Sequence, residues 1–187
     1  MMKTFAFCCA SFAEVTELAA GVKPLTSPPV DAGDFEPSWL EGYDLLWFDL
    51  HGQPGAAWWM GDNRLIALTA GQIRDANLGG AIVFALNCYL ADEGSPMLDA
   101  LLDAGARYVI GGDGRNWAGQ RTLYGAALLG MRFIKGLCQE QDPLRALALA
   151  KRWLRISMVR DWLLRRGKRI TAAKDTLAFR AYYRRSA

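Results

Sequence analysis

The only histidine of the chain, His51, follows an apolar run over residues 43–50 and precedes Gly52, while Cys88 follows a second apolar run, 81–86, and Asn87. An imidazole and a thiol at two strand ends are what nucleophilic cysteine chemistry requires. A free thiol is only slightly ionised at neutral pH, and a nearby imidazole raises the reactive fraction. The backbone amides of Gly52 and Cys88 are candidate donors to the oxyanion that forms when a thiolate attacks an amide, and glycine after His51 lets the backbone approach a substrate closely. A lone Cys ending a buried strand also serves as a small core hydrophobe, and a lone loop His as an incidental residue. Asp49, on the same face as His51 by strand alternation, either orients the imidazole or bonds neighbouring backbone.

For the two groups to meet, the segments that carry them must be neighbouring strands. Residues 3–9, 43–50, 81–86 and 107–110 read as strands, and their continuous apolar character predicts burial on both faces. Helical periodicity occupies 11–20, 69–77, 96–104, 122–137 and 143–158. Thr69 and Ser95-Pro96 mark helix entries and Gly105 a helix stop. The alternation predicts an α/β sandwich with a mainly parallel central sheet flanked by helices. Residues 23–37, rich in proline, read as a surface loop with one short strand, and 52–61 as a Gly/Pro turn region carrying Trp58 and Trp59.

The 187 residues, 52% hydrophobic and 22% charged, are enough for one buried core without a metal or disulfide staple, which excludes global disorder and small stapled scaffolds. No apolar run reaches membrane-spanning length, so no transmembrane segment is expected. The opening 20 residues read as a strand and a helix rather than a signal segment, with Glu14 and Glu17 in helical register. Cys8, Cys9, Cys88 and Cys138 form neither a spaced disulfide framework nor a CxxC pair, and there is no second histidine. The expectation is therefore no metal, no cofactor and a reducing, cytoplasmic setting. Residues 1–150 carry 10 basic and 17 acidic side chains, net −7, against 12 and 2, net +10, for residues 151–187.

The segment 43–154 resembles the caspase-like cysteine peptidases of the CHAT type, relatives of caspases, separase and gingipains. One strand there ends in His-Gly and the next in the nucleophilic Cys, as YDLLWFDLHG and GGAIVFALNC do. MLDALLDAGARYVIGG and LGMRFIKGLCQEQDPLRALALAKRWL resemble the helix, Gly-Ala-Arg turn and strand, and then the closing helices, of that family. The resemblance implies a three-layer fold and a cysteine-type endopeptidase, with Cys88 as nucleophile and His51 as general base and acid. The signature of caspases proper around the nucleophile is absent. A peptidase domain is expected over residues 1–158, with a basic helical extension over 159–187.

Substrate preference is read from charge. Asp92, Glu93 and Asp113 fall in loops near the Cys88 strand end and either receive an Arg or Lys side chain or are ordinary solvated acids. Trp58, Trp59 and Trp117 either wall a peptide groove or serve core or oligomer packing. The expected partners are a protein or peptide substrate, with an activator protein or self-association for control. Three uses of the basic tail compete: docking on the acidic body, binding nucleic acid or an anionic membrane, and presentation for cleavage at 165–169. The rival to an enzyme is an inactive relative that binds protein or nucleic acid. A phosphate-binding role for Gly111, Gly112 and Gly114 lacks the accompanying helix-opening glycine or lysine pattern.

Overall fold

Three of the apolar runs become the middle of a sheet because hydrophobic groups cover both of their faces. In a computed structural model that describes residues 2–117, 119–140 and 142–184, strands β1 (Thr4–Cys9), β2 (Leu25–Ser27), β3 (Leu45–Asp49), β6 (Ile82–Ala85), β7 (Tyr108–Gly111) and β8 (Arg180–Tyr182) form one sheet in the order β2-β1-β3-β6-β7-β8. All neighbours are parallel except β8, which runs antiparallel to β7. A hairpin, β4 (Trp58–Met60) and β5 (Ile66–Thr69), stands apart.

Strand alternation divides the core in two. Phe7, Leu46, Phe48, Val83, Ala85 and Val109 face α2 (Ala70–Arg74), α3 (Pro96–Asp103) and the hairpin residue Trp59. Ala6, Leu45, Trp47, Phe84 and Ile110 face α1 (Ala13–Ala20), α4 (Gly125–Glu140) and α5 (Pro143–Leu163). The result is the expected three-layer α/β sandwich. Trp47, Phe84 and Phe133 stack in series, with centroids 5.2 and 5.3 Å apart. The stack exists because Gly130 of α4 leaves room: a Cβ there would lie 2.3 Å from Trp47 Cη2 and 2.7 Å from Phe84 Cε1.

Local chemistry sets the helix starts. Thr69 and Gln72 make a capping box at α2, Ser95 caps α3 ahead of Pro96, and Asp142 caps α5 ahead of Pro143. Gln72 also donates to the carbonyls of Ala32 and Phe35, at 2.7 and 2.9 Å, which ties the proline-rich loop to the body. α2 stops at Arg74, short of the expected 77, and the turn region 52–61 holds β4.

The basic tail also departs from a purely helical extension. The expected division at 158/159 falls inside α5. After α6 (Gly167–Thr176) the chain returns to the sheet through β8, and Phe179 is fully buried against Phe84, centroids 5.8 Å apart. Among the described residues no helix is long and apolar enough to cross a membrane.

Alanine at position 130 adds helix propensity worth about 1 kcal/mol but forces a methyl into a stacked aromatic core, which costs about 1–3 kcal/mol or more where rings cannot move. Gly130→Ala is expected to lower the urea unfolding midpoint at unchanged slope. A raised midpoint would show that the Trp47 ring yields freely.

Candidate active site

His51 and Cys88 leave neighbouring parallel strands at the same level. The β3–β6 register pairs Phe48 with Ala85, and the next rung is the bond from the Leu86 amide to the Phe48 carbonyl, 2.8 Å. The Asn87 side-chain oxygen lies 3.5 Å from the Leu50 amide. One residue further, a Cβ built on Gly52 would sit 2.0 Å from the Cys88 carbonyl oxygen. Only glycine allows this approach, so the two strand ends are in direct backbone contact.

The hairpin holds the histidine backbone: the His51 amide donates to the Met60 carbonyl at 2.8 Å, and the Met60 amide donates back at 2.9 Å. The exposed imidazole packs on Phe12, centroids 5.6 Å apart and interplanar angle 71°. A ring nitrogen, the Cys9 sulfur and an Asp62 carboxylate oxygen all lie within 4.8 Å of one another. Asp62 is anchored on the other side, where it accepts from the Ser11 amide and hydroxyl at 2.7 Å each.

Cys88 is half-buried. Its sulfur accepts from the Asn116 amide at 3.3 Å and lies 3.6 Å from the Asn116 carbonyl, so its described hydrogen bonds go to Asn116 and not to His51. Burial pushes the Cys88 thiol up, opposed by the Asn116 amide and the nearby Arg115 guanidinium. The loop after Cys88 is laced to the loop after β7. Tyr89, with φ +59°, and Ala91 donate to the carbonyls of Gly114 and Gly112 at 2.8 and 3.0 Å. Arg115 Nε donates to the Tyr89 hydroxyl at 3.1 Å, and the Asn116 side-chain amide to the Asn87 carbonyl at 2.9 Å.

The remaining candidates separate. Asp92 lies near Asp113, and burial followed by that neighbouring carboxylate pushes its carboxyl up, whereas Glu93 is exposed. Asp113 lines a cavity of about 270 Å³ with Gly114, Arg115, Asn116, Asp175 and Ala178. Trp117 is 48% exposed and its indole donates to Asp175 at 3.0 Å. Trp59 is core, its ring tilted at 50° to Phe48 with centroids 5.0 Å apart, while Trp58 is exposed. Among the described residues Asp49 is buried and its carboxylate accepts from the Thr16 hydroxyl of α1 at 3.1 Å, rather than from backbone or imidazole. Burial lifts its carboxyl from 3.8 to about 7. Sequence reasoning did not single out Asn116, Arg115, Asp175, Cys9 or Asp62 for the site. Their signal is tertiary: Asn116 lies 28 residues from Cys88, and Asp62 51 residues from Ser11.

No family model and no curated protein sequence matches the chain. Among solved structures, it is similar to the complex of the pro- and mature domains of RgpB from Porphyromonas gingivalis, with a TM-score of 0.55 and 11% identity over 93% of this chain and 45% of that one. It is also similar to the Arg-specific cysteine proteinase gingipain R, with a TM-score of 0.47 and 12% identity over 74% of this chain and 37% of that one. The chain thus spans less than half the length of either. At such identities the likeness is one of fold alone: a mainly parallel α/β sheet flanked by helices, shared with the RgpB domains.

Asp49 supplies a sign-defined test. Its folded-state value lies above its unfolded one, so its contribution to stability is complete below about pH 4 and is lost as pH rises through about 7. Asp49→Asn removes that titration. The stability of the wild type relative to Asp49→Asn, from urea unfolding at pH 4 and pH 8, is expected to fall by up to about 4 kcal/mol. An unchanged difference would mean that Asp49 is solvated.

Proposed function

We propose that the chain is a cysteine endopeptidase of the caspase-like, CHAT type, working through Cys88 and His51. The observation that carries this reading is the seating of Gly52 on the Cys88 backbone, which sets the imidazole-bearing and thiol-bearing strand ends side by side. The likeness in fold to a cysteine proteinase supports it.

The chemistry follows from a thiol kept protonated by burial. As a peptide carbonyl reaches Cys88, the sulfur turns from Asn116, His51 accepts its proton, and the sulfur bonds the carbonyl carbon. The backbone amides of Gly52 and Cys88 stabilise the oxyanion. Collapse breaks the C–N bond, the imidazolium protonates the departing amine, and water, deprotonated by His51, hydrolyses the thioester. The Asn116 amide favours the ionised sulfur whenever it swings back.

Specificity for Arg or Lys is supported by the cavity beside Asn116, in which Asp113 and Asp175 set two carboxylates within reach of a basic side chain. The four cysteines are free, which suits a reducing, cytoplasmic setting. A protein or peptide substrate is what this chemistry calls for, and an activator that closes His51 onto Cys88 suits a sulfur whose described bonds go elsewhere. The same bonding favours one second reading, an inactive relative that binds partners with this fold.

A peptide-based alkylating probe separates the two. Labelling at Cys88, located by peptide mapping because Cys138 is exposed, is expected to vanish in Cys88→Ala and to slow about 10²- to 10⁴-fold in His51→Ala. Absence of labelling at Cys88 would support the binding module. Peptides with Arg or Lys before the scissile bond are expected to be cleaved faster than those with Leu or Asp, and Asp113→Asn to reduce that advantage by about tenfold. Equal cleavage of all four would remove the acidic cavity from the specificity argument.

A further inference from the structure

We propose that Cys9, His51 and Asp62 form a zinc(II) site, and that zinc bound there withdraws His51 from Cys88. The second half rests on the reading of His51 as the general base; the first stands without it.

Three separate segments bring the ligands together. Cys9 ends β1, His51 follows β3, and Asp62 begins the short turn Asp62–Arg64 after β4. Their donor atoms lie within 4.8 Å of one another. In a tetrahedral zinc site, bond lengths of about 2.0–2.3 Å put ligand atoms roughly 3.3–3.7 Å apart, so the three need close by up to about 1.5 Å. The groups able to move are the exposed His51 and the half-exposed Asp62, while Cys9 is fully buried and fixed.

The donor set suits the ion. Sulfur, imidazole nitrogen and carboxylate oxygen are the three zinc donor types, and three protein ligands leave a fourth position for water. Charge also closes: a thiolate and a carboxylate carry −2 between them, and zinc brings +2. The balanced step is zinc(II) plus the Cys9 thiol giving a zinc–thiolate bond and one proton released to solvent. Among the described residues the Asp62 carboxylate bonds Ser11, and the Cys9 sulfur has weak backbone contacts, to the Met60 carbonyl at 3.6 Å and to His51.

Outer-shell support is already in place. The Ser11 amide and hydroxyl hold both Asp62 oxygens, so one oxygen can turn to the metal while the other stays bonded. The paired bonds between His51 and Met60 fix the backbone under the imidazole.

The consequence for Cys88 follows from imidazole chemistry. A ring nitrogen bound to zinc has donated its lone pair, and the other nitrogen carries the proton of a neutral ring. Neither can accept the Cys88 proton, so the nucleophile stays a thiol.

The test uses the intact chain with cobalt(II) and zinc(II) as probes. Cobalt(II) is expected to give thiolate charge-transfer absorption and tetrahedral d–d bands that zinc abolishes. These bands should persist in Cys88→Ala and disappear in Cys9→Ser. Asp62→Asn, which keeps the Ser11 contact surface, should weaken zinc binding by at least the roughly 10- to 100-fold that loss of an outer-shell partner costs. Zinc should also slow Cys88 labelling reversibly in the wild type, with Asp62→Asn escaping by the same factor. Absence of the bands, or bands that survive in Cys9→Ser, overturns the site. Bands that behave as expected in a chain whose Cys88 is never labelled uphold the metal site and sink the peptidase reading instead. Bands together with labelling that zinc leaves unchanged overturn the regulatory half alone.

Discussion

Everything at the candidate site depends on one backbone contact, Gly52 against the Cys88 peptide. Any side chain at 52 would collide with the Cys88 carbonyl at 2.0 Å, and the two central strands would have to part where the chemistry is placed. The strands cannot part cheaply. All of β3 is buried, and Trp47 and Phe84, one on each strand, stack 5.2 Å apart under α4. The core therefore holds the strands in register, and glycine turns that register into contact between the His51 and Cys88 segments.

From this contact two loop systems fan out in opposite directions. On one side the hairpin β4–β5 clamps His51 through Met60 and sinks Trp59 beneath it. On the other, the loop after β7 bonds the Cys88 loop through Gly112, Gly114, Arg115 and Asn116. The basic tail supports this second side: β8 extends the sheet next to β7, and Asp175 of α6 receives the Trp117 indole and joins Asp113 around one cavity. The charge asymmetry of the sequence thus coincides with a structural role for residues after 158.

How much of this can be read from residue order follows from the range of the forces. Continuous apolar runs announce buried parallel strands, and capping residues announce helix starts, because both are local signals. His51 and Cys88 are legible as candidates because strand ends are where α/β sheets place reacting groups. The hairpin is not, since three residues such as Trp58–Met60 carry no periodicity and lie amid Gly and Pro. β8 is hidden by arginines, and only its pairing with β7 makes Arg180–Tyr182 a strand. The partners of Asp49, Cys88 and Asp62 are likewise out of reach, because each is settled by elements 28 to 51 residues away.

The burial of the thiols decides which of them can react. Raising a thiol's pKa by one unit costs tenfold in thiolate and returns only about threefold in nucleophilicity, so a buried cysteine loses reactivity unless a base sits beside it. Cys8 and Cys9 are both pushed up by burial, and the Cys8 thiol reaches about 12. His51 lies within reach of Cys9, yet no peptide can reach that sulfur, which has no exposed surface. Cys88 combines partial exposure with a stabilising amide from Asn116 and a cation in Arg115. Access, rather than ionisation, therefore favours Cys88 over Cys9 as the candidate nucleophile, and leaves Cys9 free for the proposed metal site.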